Sequence, residues 1–374
     1  MSNRRLRIGV VFGGRSGEHE VSLASARSVI AGFDPVKYEV VPIGITPEGQ
    51  WRIGPDVLPA LMERTSTGGH PLILPPEPGR GWISPGAFTP EDGAPVDVVF
   101  PLVHGTFGED GCLQGLLELA GLPYVGAGVL ASAAGMDKVI QKQLFRQAGL
   151  PTPRALWWSA AEWRESPGRI LRRVEKELRY PVFVKPANTG SSVGITKAHN
   201  REELRGGCDA AAGYDRRIII EQGIRNGREI ECSILGNERP EISVAGEILS
   251  SNEFYDYDAK YVDGQSSAVI PAPLAPPVAR RVRELALAAY RVLDCAGMAR
   301  VDLFVTRRGS TVYLNELNTI PGFTSISMYP KLWEASGLSF PDLLDRLVVL
   351  ALERHRQTQT LRRSYHPSKD WFTT

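Results

Sequence analysis

Apolar positions along the chain switch between two periods. Arg7 to Gly14 reads as a buried strand ending in glycines, and Glu20 to Ile30 then carries apolar residues at helical spacing. Tyr38 to Ile45 and Val96 to Val103 repeat the strand pattern. Leu113 to Ala120 reads as a helix, and Tyr124-Val125 opens a short further strand. Strands alternating with helices predict a parallel, doubly wound sheet. Thr65 to Pro95 is dense in Gly and Pro, which predicts an extended surface excursion with short β pieces and no domain of its own.

From Ser132 onward the pattern changes. Helical stretches at Lys138 to Ala148 and Ala160 to Leu178 flank strands at Tyr180 to Lys185 and Arg217 to Glu221. Ile230 to Leu235 and Ile242 to Ile248 read as antiparallel strands, and Val278 to Leu293 as an amphipathic helix. Met298 to Val305 and Thr311 to Leu317 form a hairpin turned by Arg307-Arg308-Gly309. A last helix spans Phe340 to Arg354, and the polar tail after His355 reads as loose. There is no internal repeat.

Composition narrows the class. At roughly 100–200 residues per domain, 374 residues make two or three domains. Lys+Arg at 43 against Asp+Glu at 42 leaves a net charge of +1, so no global field favours nucleic acid. The basic start is followed by an apolar run, Ile8 to Phe12, too short for a signal peptide or membrane span, so neither a leader nor a membrane partner is expected. Cys112, Cys208, Cys232 and Cys295 are far apart, which points to four buried, reduced thiols and a cytoplasmic protein.

Three segments carry chemistry. Phe12 to Glu20 is a glycine loop opening a helix, and helix N-termini take phosphates or small carboxylates alike. Glu18 there could meet an ammonium group or simply cap the helix. In Phe183 to Gly194 a strand delivers Lys185 into a loop of small residues able to lay N–H groups on phosphate oxygens, though the spacing is not that of a P-loop. The third is the hairpin. If Thr306 faces Val312, Asp302 lies opposite Glu316 and Arg300 opposite Asn318, with cross-strand Cβ atoms about 4.5–5.5 Å apart. Two such carboxylates repel unless a cation joins them, and an all-oxygen set suits Mg²⁺ or Mn²⁺. The alternative is a hairpin whose charges pair off through Arg300. His104 to Gly111 follows the third strand, where α/β sheets carry ligand loops. Lys138 begins a helix, and Tyr255 to Tyr261 mixes aromatics with charges.

Taken together, Gly13 to Leu23, His104 to Gly111, Met136 to Lys138, Lys185 to Gly194, Phe254 to Tyr261 and Arg300 to Ser327 resemble the D-alanine–D-alanine ligases of the ATP-grasp superfamily. The stretches occur in family order and span the chain to about residue 350. The resemblance implies an α/β N-terminal domain over 1–131, a central ATP-grasp subdomain over 132–225, a C-terminal one over 226–354 and a tail over 355–374. It implies ATP between two antiparallel sheets, a D-alanyl phosphate intermediate, two Mg²⁺ or Mn²⁺ ions and a homodimer. Lys138 and Lys185 match the α- and β-phosphate ligands and Lys260 the γ-phosphate ligand. Ser191 and Ser192 fall in the ATP loop, Glu221 and Ile224 match the adenine contacts, and Glu229 matches the ribose contact. Asp302, Glu316 and Asn318 match the metal ligands, and Arg300 and the Gly322 N–H the oxyanion donors. Glu18 matches the residue on the first D-alanine's ammonium, with His104 beside it, and Ser327 the binder of the second D-alanine's carboxylate. Glu18, Ser191 and Tyr261 match a hydrogen-bonded latch over the site.

Three rivals compete with this assignment. A D-alanine–D-lactate ligase is disfavoured because the depsipeptide-forming relatives differ around Tyr261. A nicotinamide-dependent oxidoreductase would leave the carboxylate hairpin without purpose, and a silent amino-acid sensor would not need every metal and phosphate position intact.

Overall fold

The computed structural model describes residues 4–65, 68–79, 81–83, 96–249, 267–306 and 311–365. The first sheet contains β1 (Leu6–Gly13), β2 (Tyr38–Ile45), β3 (Trp51–Ile53), β4 (His70–Pro71) and β5 (Val98–Pro101) in the order β4-β3-β2-β1-β5. Only β1, β2 and β5 run parallel. The strands expected from the sequence are parallel as predicted, and β3 and β4, which the pattern does not single out, add antiparallel at one edge. The cause is local. Thr46 and Gln50 close a tight turn after β2 (Thr46 N–H to Gln50 carbonyl, 2.9 Å), leaving no room for a crossover helix. Tyr124 joins β5 through one parallel bridge, and within the Gly/Pro-rich excursion Ile73 bridges Ile83.

Helices cover both faces of this sheet. Ile8, Val10 and Phe12 pack with α1 (His19–Gly32) and α2 (Val57–Met62), while Val11 meets α3 (Cys112–Leu119) through Leu113 and Leu117. Cys112 opens α3 and is exposed, so only Cys208, Cys232 and Cys295 are the buried thiols anticipated for all four. Two further helices, α4 (Val129–Met136) and α5 (Lys138–Gln147), lead into the next sheet. The Asp137 side chain caps α5 by accepting from the Val139 and Ile140 N–H groups.

The second sheet is antiparallel, ordered β6-β9-β7-β8, from β6 (Ala155–Ser159), β7 (Val182–Pro186), β8 (Thr196–Ala198) and β9 (Arg217–Gln222). Its outer face is buried under α6 (Ala160–Glu165), α7 (Pro167–Glu177) and α8 (Arg201–Tyr214). The single helix expected over Ala160 to Leu178 is two, because Ser166 leaves helical geometry and Pro167 restarts the chain at a new first turn.

The third sheet is also antiparallel, built from β10 (Gly227–Leu235), β11 (Glu241–Ile242), β12 (Gly246–Leu249), β13 (Ser267–Val269), β14 (Met298–Thr306) and β15 (Val312–Asn318). Its order is β13-β12-β10-β14-β15, with β11 pairing β10. The strand expected over Ile242 to Ile248 is split into β11 and β12, since the Val244 N–H is diverted to the Ser336 hydroxyl. The helix α9 (Pro276–Val292) packs Leu285 and Ala289 against Val301, Leu303 and Leu314. After α10 (Met328–Glu334), the last helix α11 runs Phe340–Gln359. The tail read as loose after His355 is thus helical for its first residues. Leu343, Leu347 and Ala351 of α11 join the cluster that holds Ile8 and Phe100, so the C-terminal helix seals the N-terminal sheet.

Candidate active site

A cavity of ≈ 690 Å³ opens where the three sheets meet, and it gathers most of the singled-out residues. From the first sheet come Glu18 and His104. Lys138, Lys185, Ser191, Ser192, Glu221 and Ile224 come from the central part. Glu229, Arg300, Asp302, Glu316, Asn318, Gly322 and Ser327 come from the third sheet and the turn after it. Lys260 and Tyr261 lie outside the described residues.

The hairpin builds the acidic wall. Val301, Leu303 and Val305 of β14 are buried, so Arg300, Asp302 and Phe304 point to the other face and into the cavity. Arg300 pairs with Asn318 and Asp302 with Glu316, as the spacing predicts. The route differs, because Val305 rather than Thr306 faces Val312. The one-residue slip is absorbed by a bulge at Asn315, next to Glu316. On the neighbouring strand Glu231 faces Asp302, so three carboxylates stand in a row across β10, β14 and β15. Arg300 compensates them. Its Nε and Nη2 donate to the two Asp302 oxygens at 2.7 and 2.6 Å, and Nε lies 3.1 Å from Glu231 Oε2. Asn318 Nδ2 adds a bond to Asp302 at 3.2 Å. The guanidinium thus stands where a cation is needed, and the surrounding donors, Asp302, Glu316 and Asn318, are all oxygen-bearing. That donor set fits Mg²⁺ or Mn²⁺. Among the described residues no group of three or more His, Cys, Asp or Glu is arranged to hold a metal.

The basic wall faces it. The Lys138 ammonium reaches the Thr189 carbonyl at 2.6 Å, tying the start of α5 to the loop after β7. Lys185 bonds Glu221 Oε2 at 3.0 Å, and Lys142 lies 3.2 Å from Oε1, all three side chains being buried. Burial opposes the Glu221 charge, yet the two lysines outweigh it and hold the carboxyl below its usual range. Glu221 is therefore engaged by lysines rather than open to the cavity on both oxygens.

Glu18 links the first sheet to the phosphate-type loop. The Ser191 hydroxyl donates to Glu18 Oε1, and a Cβ at Gly190 would overlap the same carboxylate, so glycine is the residue that permits the approach. Ser191 and Ser192 both adopt positive φ, 44° and 62°, in the tight turn that makes the contact. His104 is a strut more than a ligand. Its Nδ1–H donates to the Ile320 carbonyl at 3.2 Å, and Nε2 lies 3.0 Å from the Ser25 hydroxyl. Burial pushes its pKa down, against the Glu18 charge and the Ile320 hydrogen bond. Ser327 accepts the Thr324 N–H at 3.0 Å and sits against Gly322.

Two cavity-lining residues, Glu109 and Glu231, and one buried residue behind the cavity wall, Lys142, are not singled out by the sequence reading. Glu231 could have been found, since it pairs with Asp302 once β10 is placed beside β14. Lys142 follows Lys138 by four residues and shares its face of α5. Glu109 accepts the Gly105 N–H at 2.8 Å, and burial, then the Glu18 charge, raises its carboxyl well above the usual range.

Two antiparallel sheets closing lysines onto carboxylates form an ATP-grasp fold, and solved structures share it. One neighbour, the D-alanine-D-alanine ligase from Coxiella burnetii, superposes with a TM-score of 0.82 at 37% identity, over 95% of this chain and 96% of that one. VanG, the D-Ala:D-Ser ligase from Enterococcus faecalis, gives 0.82 and 37% over 93% of this chain and 100% of that one. Residues 7–127 match the family model described as D-ala D-ala ligase N-terminus, and 144–349 the one described as D-ala D-ala ligase C-terminus. The D-alanine--D-alanine ligase of Thermoanaerobacter sp. (strain X514) is 54% identical over 357 residues, covering 94% of this chain and 98% of that protein. The chain belongs to the D-alanine–D-alanine ligase family.

Proposed function

We infer that the chain is an ATP-dependent ligase that joins two D-alanines into D-alanyl-D-alanine, a peptidoglycan precursor. The observation that carries this is one cavity combining a basic wall, an acidic hairpin and a carboxylate from the first sheet, in a chain matching the family along almost its whole length. A carboxylate oxygen of the first D-alanine attacks the γ-phosphorus of ATP, and ADP departs with the bridging oxygen. The neutral amine of the second D-alanine attacks the acyl carbon. Collapse expels phosphate, which keeps the former carboxylate oxygen, and the nitrogen loses a proton.

The residues of this chain divide the work as follows. Lys138 and Lys185 hold the α- and β-phosphates, and Ser191 and Ser192 lie along the phosphate loop. Glu221 and the backbone at Ile224 meet adenine, and Glu229 meets ribose. Lys260, outside the described residues, takes the γ-phosphate. Glu18 holds the first ammonium and Ser327 the second carboxylate. Arg300 and the Gly322 N–H stabilise the tetrahedral oxyanion, an effect worth about 10²–10³ in rate per donor. Asp302, Glu316 and Asn318 would hold two Mg²⁺ or Mn²⁺ ions, which offset charge on the transferring phosphoryl group when bound. The same reading gives a homodimer working in the cytoplasm. Among the described residues no helix is long and apolar enough to cross a membrane.

Phosphate release with ATP, Mg²⁺ and single D-amino acids tests the substrate, with D-serine and D-lactate as competing second substrates because one structural neighbour is a D-Ala:D-Ser ligase. D-alanine alone should support turnover and dominate the product. Turnover that requires D-serine or D-lactate would overturn the assignment. The latch is tested separately. Ser191→Ala removes the hydroxyl from Glu18 without removing a charge. The expected result is slower dipeptide formation and more than one phosphate per dipeptide, as water reaches the acyl phosphate. A ratio that stays at one would show that the contact does not exclude water.

A further inference from the structure

Glu221 is shared by two lysines that differ in one respect. Lys185, on β7, bonds Oε2 and makes no second hydrogen bond to the hairpin among those described. Lys142, on α5, lies on Oε1 and also donates to the Asn315 carbonyl at 2.8 Å. Asn315 is the bulge residue of β15, so the second bond ties this ammonium to the hairpin. The neighbouring Gln141 exchanges hydrogen bonds with the Leu317 backbone at 3.0 and 3.1 Å, which fixes α5 on β15. Lys142 is 3% exposed, and turning it out of this pocket would break its contacts with both Glu221 and Asn315.

The proposed function asks Lys185 to turn toward phosphate. A buried carboxylate that lost its only cation would be strongly disfavoured. We propose that Lys142 is a positioning residue for nucleotide-base recognition. It stays on Glu221 Oε1 as a fixed counter-charge while Oε2, released by Lys185, accepts the amino group of the base. The inference rests on the reading that Glu221 meets adenine. It adds a second residue, remote from the base, that decides whether adenine is told from a base with a carbonyl in that position.

The test is calorimetric binding of Mg·ADP and Mg·IDP to the full-length protein, which needs no turnover. Wild type should prefer ADP. Lys142→Met should weaken ADP about tenfold and IDP by less than about threefold, narrowing the preference. In a Glu221→Gln background the same substitution should cost less than about threefold for either ligand, since the group it acts through is gone. Wild-type ADP affinity in Lys142→Met overturns the proposal, as does an equal loss for both nucleotides in both backgrounds. A Glu221→Gln variant with an unchanged ADP:IDP ratio removes Glu221 from the base, and takes the proposal with it. If Lys142→Met fails to fold alone, recovery of the fold in the double variant supports action through Glu221, and failure of both overturns it.

Discussion

Replacing Glu316 with Ala should reduce turnover by about a thousandfold or more while leaving the folded protein intact. The charge on Glu316 faces Asp302 across the hairpin and adds to the row begun by Glu231, which is repulsive. The same charge attracts Lys142, Lys185 and Arg300: burial lowers the pKa of all three and prevails at Lys142, and Glu316 is among the carboxylates that oppose it. These terms oppose one another, so the net change in folding stability should lie within about 1 kcal/mol. Activity has no such offset. On the proposal that Asp302, Glu316 and Asn318 hold the metal, one of three oxygen donors is lost, and the phosphoryl group in transfer then meets an unscreened acidic wall. Denaturant midpoint and steady-state rate read the two effects independently. Turnover within tenfold of wild type would remove Glu316 from the metal site.

Arg300→Met should do what Glu316→Ala does not, and lose both properties. Arg300 is the cation on Asp302 and Glu231, with three contacts between 2.6 and 3.1 Å and a side chain 20% exposed. Removing one partner from a mostly buried pair strands the others, at a cost on the order of 3 kcal/mol after allowance for partial exposure. The rate should fall by at least about a hundredfold if Arg300 is the oxyanion donor proposed above. Added Mg²⁺ should recover part of the stability, because it can supply charge to the same carboxylates, and little of the rate. A variant as stable as wild type without Mg²⁺ would mean that Arg300 is not the counter-ion of the row.

Much of this site can be read from residue order, for a physical reason. Strand alternation puts Arg300 with Asp302 and Glu316 with Asn318 on one face, and cross-strand pairing then needs only the turn position. Even so, the bulge at Asn315 was hidden. Val312 to Asn318 reads as an unbroken alternation until its partner strand is known, and the two slips cancel where the acidic residues stand. The glycine loops were legible because few side chains tolerate the approach of Gly190 to Glu18. Helix α8 was not. Arg201 to Tyr214 is rich in Ala, Gly and charge, and its inner face meets the second sheet through Leu204, Cys208, Ala211 and Ala212, of which only Leu204 is a large aliphatic residue. In sequence, Lys142, a lysine four residues after another, is indistinguishable from solvated surface. Its burial follows from the docking of α5 on β15, which spacing alone does not reveal.

On the proposed function, the first D-alanine is activated as an acyl phosphate. Supplying D-alanine with ¹⁸O in its carboxylate, together with ATP and Mg²⁺, and weighing the released phosphate tests it directly. One labelled oxygen should appear in phosphate for every D-alanyl-D-alanine formed, with the first residue's other label kept in the peptide carbonyl and both labels of the second residue kept in the C-terminal carboxylate. Dipeptide formed alongside unlabelled phosphate would contradict the account, because ATP would then be hydrolysed without ever joining the substrate.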